Sequence, residues 1–129
     1  MKTCSLDTNC LLSLILPGRE PQAKKVIEIL SKFECHVSDL VVSEIEFILS
    51  KACNLPRVIV AENLLTLINL DNINCNRNLF NKVISVYKER PALSFVDISI
   101  AIQSGLNNTT PLYTFDRKLA NQRQEAELL

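Results

Sequence analysis

The feature that most constrains this chain is the alternation of strand-like and helix-like segments along nearly its whole length. KTCSL (2–6) reads as a first strand, and residues 8–16 then repeat apolar side chains at helical spacing until Pro17 and Gly18 stop them. Pro21 suits a first helical position, and AKKVIEILSKF carries apolar residues at 26, 27, 30 and 33. CHVS (35–38) is a short strand candidate. LVVSEIEFILSKA (40–52) reads as a helix with an apolar stripe at 41, 45, 48, 49 and 52, and Asn54 and Pro56 open another that runs to about Asn69. INC (73–75) reads as a short strand, and residues 77–90 as a helix ended by Pro91. SFVDISIAIQSG (94–105) is a helix with a stop at Gly105; PLYTF (111–115) is a strand, DRKLANQ a short helix and EAELL a last strand.

Such alternation predicts an α/β fold with a parallel sheet covered by helices on both faces. The helix-rich stretch 40–70 interrupts it, so the winding is not a plain Rossmann one. The 129 residues suit a single domain, 1–129, long enough to bury a core without staples. With 47% apolar and 22% charged residues, disorder is excluded. The five cysteines are odd in number and lack CxxC spacing, which argues against a disulfide framework or a zinc site. They read as small apolar residues in a reducing cytosol. The run CLLSLIL (10–16) is too short to span a bilayer, and Asp7 spoils a signal-peptide core, so a cytoplasmic protein without membrane contact is expected. A formal net charge of zero argues against attraction of nucleic acid by the molecule as a whole and leaves a local basic face open.

In open α/β sheets, ligands bind at the carboxyl ends of strands. Asp7 directly follows the first strand, and Asp116 directly follows PLYTF. Asp39 follows CHVS, Glu44 lies on the helix behind it, and Asp97 sits three residues into the helix that begins at Ser94. Taken singly, each of these aspartates is explained by capping: Asp7, Asp39 and Asp116 as N-caps, and Ser94 to Asp97 as a capping box. For Asp39 that explanation is accepted. Glu44 is harder, because Val41 and Ile48 flank it on the helix, and a carboxylate bordering a core stripe asks for a cationic partner. Glu46, among Ser43 and Ser50, reads as solvated. If Asp7, Glu44, Asp97 and Asp116 converge, each pair about 5 Å apart repels by roughly 3 kcal/mol at an effective dielectric of about 20. A hard divalent cation, Mg²⁺ or Mn²⁺, would relieve that repulsion without any His or Cys ligand.

SLDTN (5–9), VVSEIEFIL (41–49), SFVDISIA (94–101) and YTFDRKL (113–119) resemble, in order and spacing, the motifs of PIN domains, and by size the toxin ribonucleases of VapC type. The resemblance covers nearly the whole chain. It implies a three-layer α/β/α fold with a parallel central sheet and a helical arm. Position by position, Asp7, Glu44, Asp97 and Asp116 match the family's acidic catalytic and metal-binding set, and Asn9 and Thr114 match polar positions that accompany it. Two departures bear on subgroup and substrate: the Ile-rich ISIAIQ after Asp97, and RKLANQ after Asp116 in place of a second acid-bearing turn. The activity implied is Mg²⁺- or Mn²⁺-dependent hydrolysis of RNA phosphodiesters. Asp7 and Asp97 would be direct ligands, Glu44 and Asp116 would hold metal-bound waters or a second ion, and Asn9 and Thr114 would lie behind them. The partners implied are RNA, a second copy of the chain in a homodimer, and a small antitoxin protein.

Arg117, Lys118 and Arg123 are candidates to grip phosphates beside the scissile one, with solvated helix charges as the plainer reading. Lys24, Lys25 and Lys32 read as a solvated face. The only histidine, His36, adjoins Cys35, but neighbouring strand residues point to opposite faces, which argues against a Cys–His dyad and for a structural histidine. Leu11, Leu12, Leu14, Ile15 and Leu16 surround the first helix and predict burial on all sides or a dimer surface. Competing functions are a PIN nuclease of RNA processing, a receiver-like phosphoryl-accepting α/β domain, and a non-catalytic interaction domain. The receiver reading also wants a Lys after a late strand, where this chain has Asp116, and an acid pair near the first strand, which it lacks.

Overall fold

In the computed structural model, which describes all residues 1–129, β1 (Lys2–Ser5) pairs in parallel with β2 (Phe33–His36). β3 (Ile73–Asn74) joins the other side of β2, again in parallel. Cys35, Val37 and Ile73 are buried while Glu34, His36 and Asn74 are exposed, the period of two that a pleated strand imposes. Cys35 and His36 therefore face opposite ways, as their adjacency predicts.

These strands belong to the first of two compact units, Met1–Arg77. Its helices are α1 (Thr8–Ser13), α2 (Glu20–Lys32), α3 (Asp39–Phe47) and α4 (Arg57–Ile68), with a π-helical turn, Ile48–Ala52, closing α3. α1 packs on α2 and α3, and α4 on α3 and β3. Leu11 and Leu12 are fully buried and Leu14, Ile15 and Leu16 half-buried, so the apolar run is spent inside this unit. Gly18 takes φ +79°, which a residue with a Cβ resists, and this turn separates α1 from α2.

Three details differ from the sequence reading. The second strand is FECH rather than CHVS, because α2 passes into β2 at Phe33 with no loop between them. Ser38 is thereby released to cap α3: its Oγ accepts from the Val41 N–H at 3.3 Å, so Asp39 stands inside the first turn rather than at the cap. The stripe of α3 runs through Val42 and Ile45, not Val41 and Ile48, because Val42 is the side chain the core takes in.

The second unit is Asn78–Leu129. Its elements are α5 (Arg77–Glu89, whose first residue lies at the unit boundary), α6 (Phe95–Leu106), β4 (Leu112–Thr114), α7 (Arg117–Gln122) and β5 (Ala126–Leu128). β4 and β5 are parallel, with Leu112 opposite Ala126, and α7 makes the crossover. Phe95 ties α6 to α5: its ring stacks on Phe80 at 6.0 Å and meets Tyr87 edge-on at 5.4 Å. Each such pair contributes about 0.5–1.5 kcal/mol beyond burial. This cluster anchors the start of α6, and with it the position of Asp97. No helix is long and apolar enough to cross a membrane.

Candidate functional site

Asp7 follows β1 and caps α1. Its Oδ1 accepts the Cys10 N–H at 3.0 Å, and the side chain is exposed. That backbone bond, then the Cys10 thiol and the Asn9 N–H, hold its carboxyl below the usual carboxylate range against a small opposing effect of burial. Asp7 is thus a fixed anion at the end of a strand. Asn9, also exposed, lines a recess of about 640 Å³ with Gly18, Arg19, Pro21 and Gln22.

Glu44 corrects the sequence reading. It is exposed, on the side of α3 opposite Val42 and Ile45, and makes no ion pair, so it does not border the core stripe and burial creates no need for a charge partner. Glu46 is the half-buried acid, because it flanks Val42 and Ile45.

In the second unit, Asp116 caps α7. Its Oδ1 accepts the N–H groups of Lys118 at 2.9 Å and Leu119 at 3.3 Å, which leaves Oδ2 outside the cap. The Asp116 N–H donates to Thr114 Oγ1 at 3.0 Å, so Thr114 fixes the backbone that aims Asp116. Asp97 is half-buried in the first turn of α6, where Ser94 Oγ accepts its N–H at 3.1 Å. The reciprocal bond of a capping box, from the Ser94 N–H to the Asp97 carboxylate, is not made, so capping does not consume that carboxylate.

The three cations weighed from sequence separate into two kinds. Arg117 and Lys118 are exposed beside Asp116. Arg123 is not a free cation: its Nε donates to Glu125 Oε1 at 2.9 Å and its Nη2 to Oε2 at 2.7 Å, with side chains 19% and 11% exposed. Pairing with Arg123 holds the Glu125 carboxyl low despite burial, which opposes it. This pair lines a recess of the second unit, about 910 Å³, which also meets Lys82, Ile102 and Gly105 and includes none of the four acids. Arg19, which the sequence reading passes over, shares the recess of Asn9; its place after the Pro17–Gly18 turn is the signal that would have found it.

Nowhere in the chain do three or more His, Cys, Asp or Glu side chains form a ready-made cage for an ion. Mg²⁺ demands less than that, since it typically binds through one or two carboxylates and keeps several of its waters. The exposed, hard carboxylate oxygens of Asp7 and Asp116 and the uncommitted carboxylate of Asp97 have the chemistry such an ion prefers.

The family model of the PIN domain matches residues 5–124 of the 129, a span that holds all four acids. The chain belongs to the PIN domain family, and its fold is the family's three-layer α/β/α arrangement. PIN domains are generally nucleases that act on RNA or DNA with divalent metal ions such as Mg²⁺. No curated protein matches the chain.

Proposed function

We propose that the chain is a Mg²⁺- or Mn²⁺-dependent endoribonuclease that hydrolyses RNA phosphodiester bonds. The observation that carries this reading, beside family membership, is the pair of strand-terminal acids Asp7 and Asp116, each held by backbone N–H groups through one oxygen. An anion fixed this way needs no rearrangement when an ion or substrate arrives. Asp7 and Asp97 would hold the ion directly, Glu44 and Asp116 would hold its waters, and Asn9 and Thr114 would support them. The ion, when bound, neutralises the phosphate and acidifies a water. Arg117 and Lys118 would take the phosphates on either side, with Arg19 as a further cation near Asn9.

The same reading makes the protein the toxin of a toxin–antitoxin pair, a cytoplasmic homodimer neutralised by a small antitoxin. Leu40 and Phe47 on α3, and Val58 and Ile59 on α4, support a dimer because they are apolar and exposed. Light scattering of the purified chain tests this, and a monomer at micromolar concentration would remove it.

The decisive experiment is cleavage of a labelled single-stranded RNA by wild type and Asp7→Asn, with Mg²⁺, Mn²⁺ or chelator. Wild type is expected to cut only with a divalent ion, and Asp7→Asn to lose at least about a hundredfold in rate. Cleavage in chelator, or full activity in the variant, would overturn the reading.

A further inference from the structure

Phe115 lies between Thr114, the last residue of β4, and Asp116, the cap of α7, and is 82% exposed. No fold requirement explains an aromatic side chain so fully in water, since Leu119 supplies the buried contact of α7. Its backbone is not loose. The Asp116 N–H is bonded to Thr114 Oγ1, and the Asp116 carboxylate is bonded to Lys118 and Leu119, so the residue sits in a locked junction. Arg117 and Lys118 are exposed immediately after it, and Tyr113, 57% exposed, lies two residues before it on β4.

An exposed aromatic side chain on a fixed backbone, beside two cations and a carboxylate, matches what single strands need. Cations take the backbone, and the ring takes a base, which only an unpaired nucleotide can offer. Leu128 and Leu129 are exposed at the end of the neighbouring strand, the Leu129 N–H donating to the Thr114 carbonyl, and an apolar partner protein would use them with the ring; Asp116, Arg117 and Lys118, which follow Phe115 directly, favour a charged strand instead.

Resting on the nuclease reading, we propose that Phe115 is the stacking platform for an unpaired base of the RNA strand next to the phosphate that Asp116 serves, so that the chain selects single-stranded over duplex RNA. The residue touches substrate and takes no part in bond breaking.

The chain contains no tryptophan, so Phe115→Trp installs a sole indole reporter. Oligouridylate and oligoadenylate are titrated into this variant with chelator present, so that the strands stay intact, and inorganic polyphosphate is titrated in parallel. Saturable quenching of the indole by the oligonucleotides, and none by polyphosphate, is expected. In anisotropy titrations, Phe115→Ala and Phe115→Leu are expected to raise the Kd for single-stranded RNA about 5- to 150-fold, and Phe115→Tyr to restore it. Their Kd for a duplex of the same sequence is expected to stay within twofold of wild type.

Unchanged indole emission, no binding of RNA, or a Phe115→Ala Kd within twofold of wild type would overturn the proposal. Circular dichroism guards against misfolding, and the high exposure of Phe115 makes misfolding a minor concern. Wild-type cleavage measured on the same preparation separates the two readings. Cleavage without quenching sinks the stacking role alone, whereas quenching without cleavage sustains it and sinks the nuclease.

Discussion

Asp7 has two jobs that substitution can separate. It caps α1, and in the proposed mechanism it holds an ion. Asparagine caps a helix about as well as aspartate, whereas alanine costs about 1 kcal/mol. Asp7→Asn is therefore expected to unfold in urea close to wild type while losing cleavage, and Asp7→Ala to lose both. The charge also gives a pH signature. Because backbone bonds depress the folded carboxyl's pKa, the stability it adds is present above the ordinary carboxylate range and lost as pH falls through the folded value. The gap between wild type and Asp7→Ala is expected to shrink as pH falls below the ordinary carboxylate range. A gap that persists there would show that the cap does not depend on ionisation. Residue by residue, the sequence is informative about such acids because chain position alone marks them: Asp7 and Asp116 end strands. It is poor on Glu44 and Phe115, whose exposure is decided by which helix face the core takes and by what fills the space beside a strand end.

Elements add constraints that no single residue carries. Gly105 lies near the end of α6, where alanine would ordinarily be favoured by about 1 kcal/mol. A Cβ there would meet Glu125 Cγ at 3.3 Å, and Glu125 cannot yield readily because Arg123 clamps both its oxygens. Gly105→Ala is expected to give no gain, or a loss, in the wild-type background and a gain of about 1 kcal/mol in a Glu125→Ala background. A double-mutant cycle by chemical denaturation measures this, and equal effects in both backgrounds would remove the clamp argument. The β1–β2 pairing sets a second case. In-register Cys4 and Cys35 bring their sulfurs to 3.4 Å, and burial, with the Cys4 thiol adding to it, pushes the Cys35 thiol from an ordinary 9.0 up to about 11. A raised folded pKa means the contribution is complete below about pH 9 and lost as pH rises toward 11, since the unfolded chain ionises first. The stability advantage of wild type over Cys35→Ala is expected to narrow across that window, and alkylation of Cys35 to lag behind that of the half-buried Cys10. The strand that holds Cys35 was legible in its existence and not in its ends. Period and Gly/Pro punctuation announce elements, but α2 runs straight into β2 without a turn residue, so only pairing with β1 fixes where the strand begins.

For the molecule as a whole, the alternation of strands and helices carried the order of elements and the parallel pairing, because both follow from local period and crossover geometry. Ion binding is a different matter: it depends on tertiary placement of oxygens, and its free energy is read only against the unfolded chain. With a formal net charge of zero, the protein has little overall attraction for Mg²⁺, so stabilisation by the ion should come from specific carboxylates rather than from the general field. An ion that binds only the folded state stabilises it by about 1.4 kcal/mol at ten times its dissociation constant. For a chain of 129 residues, that raises Tm by about 5 °C. Differential scanning fluorimetry across a Mg²⁺ or Mn²⁺ series is expected to show a saturable rise of this size for wild type, a markedly smaller one for Asp7→Asn and Asp97→Asn, and reversal by chelator. Arg117→Gln, a change beside the acids that removes no carboxylate, is expected to keep the full rise. Because Asn preserves the cap at Asp7, loss of the rise in that variant would report on ligation rather than folding. Identical rises in wild type and both aspartate variants would mean that these carboxylates hold no ion, and the metal-dependent mechanism would then have to be abandoned for this chain whatever its fold.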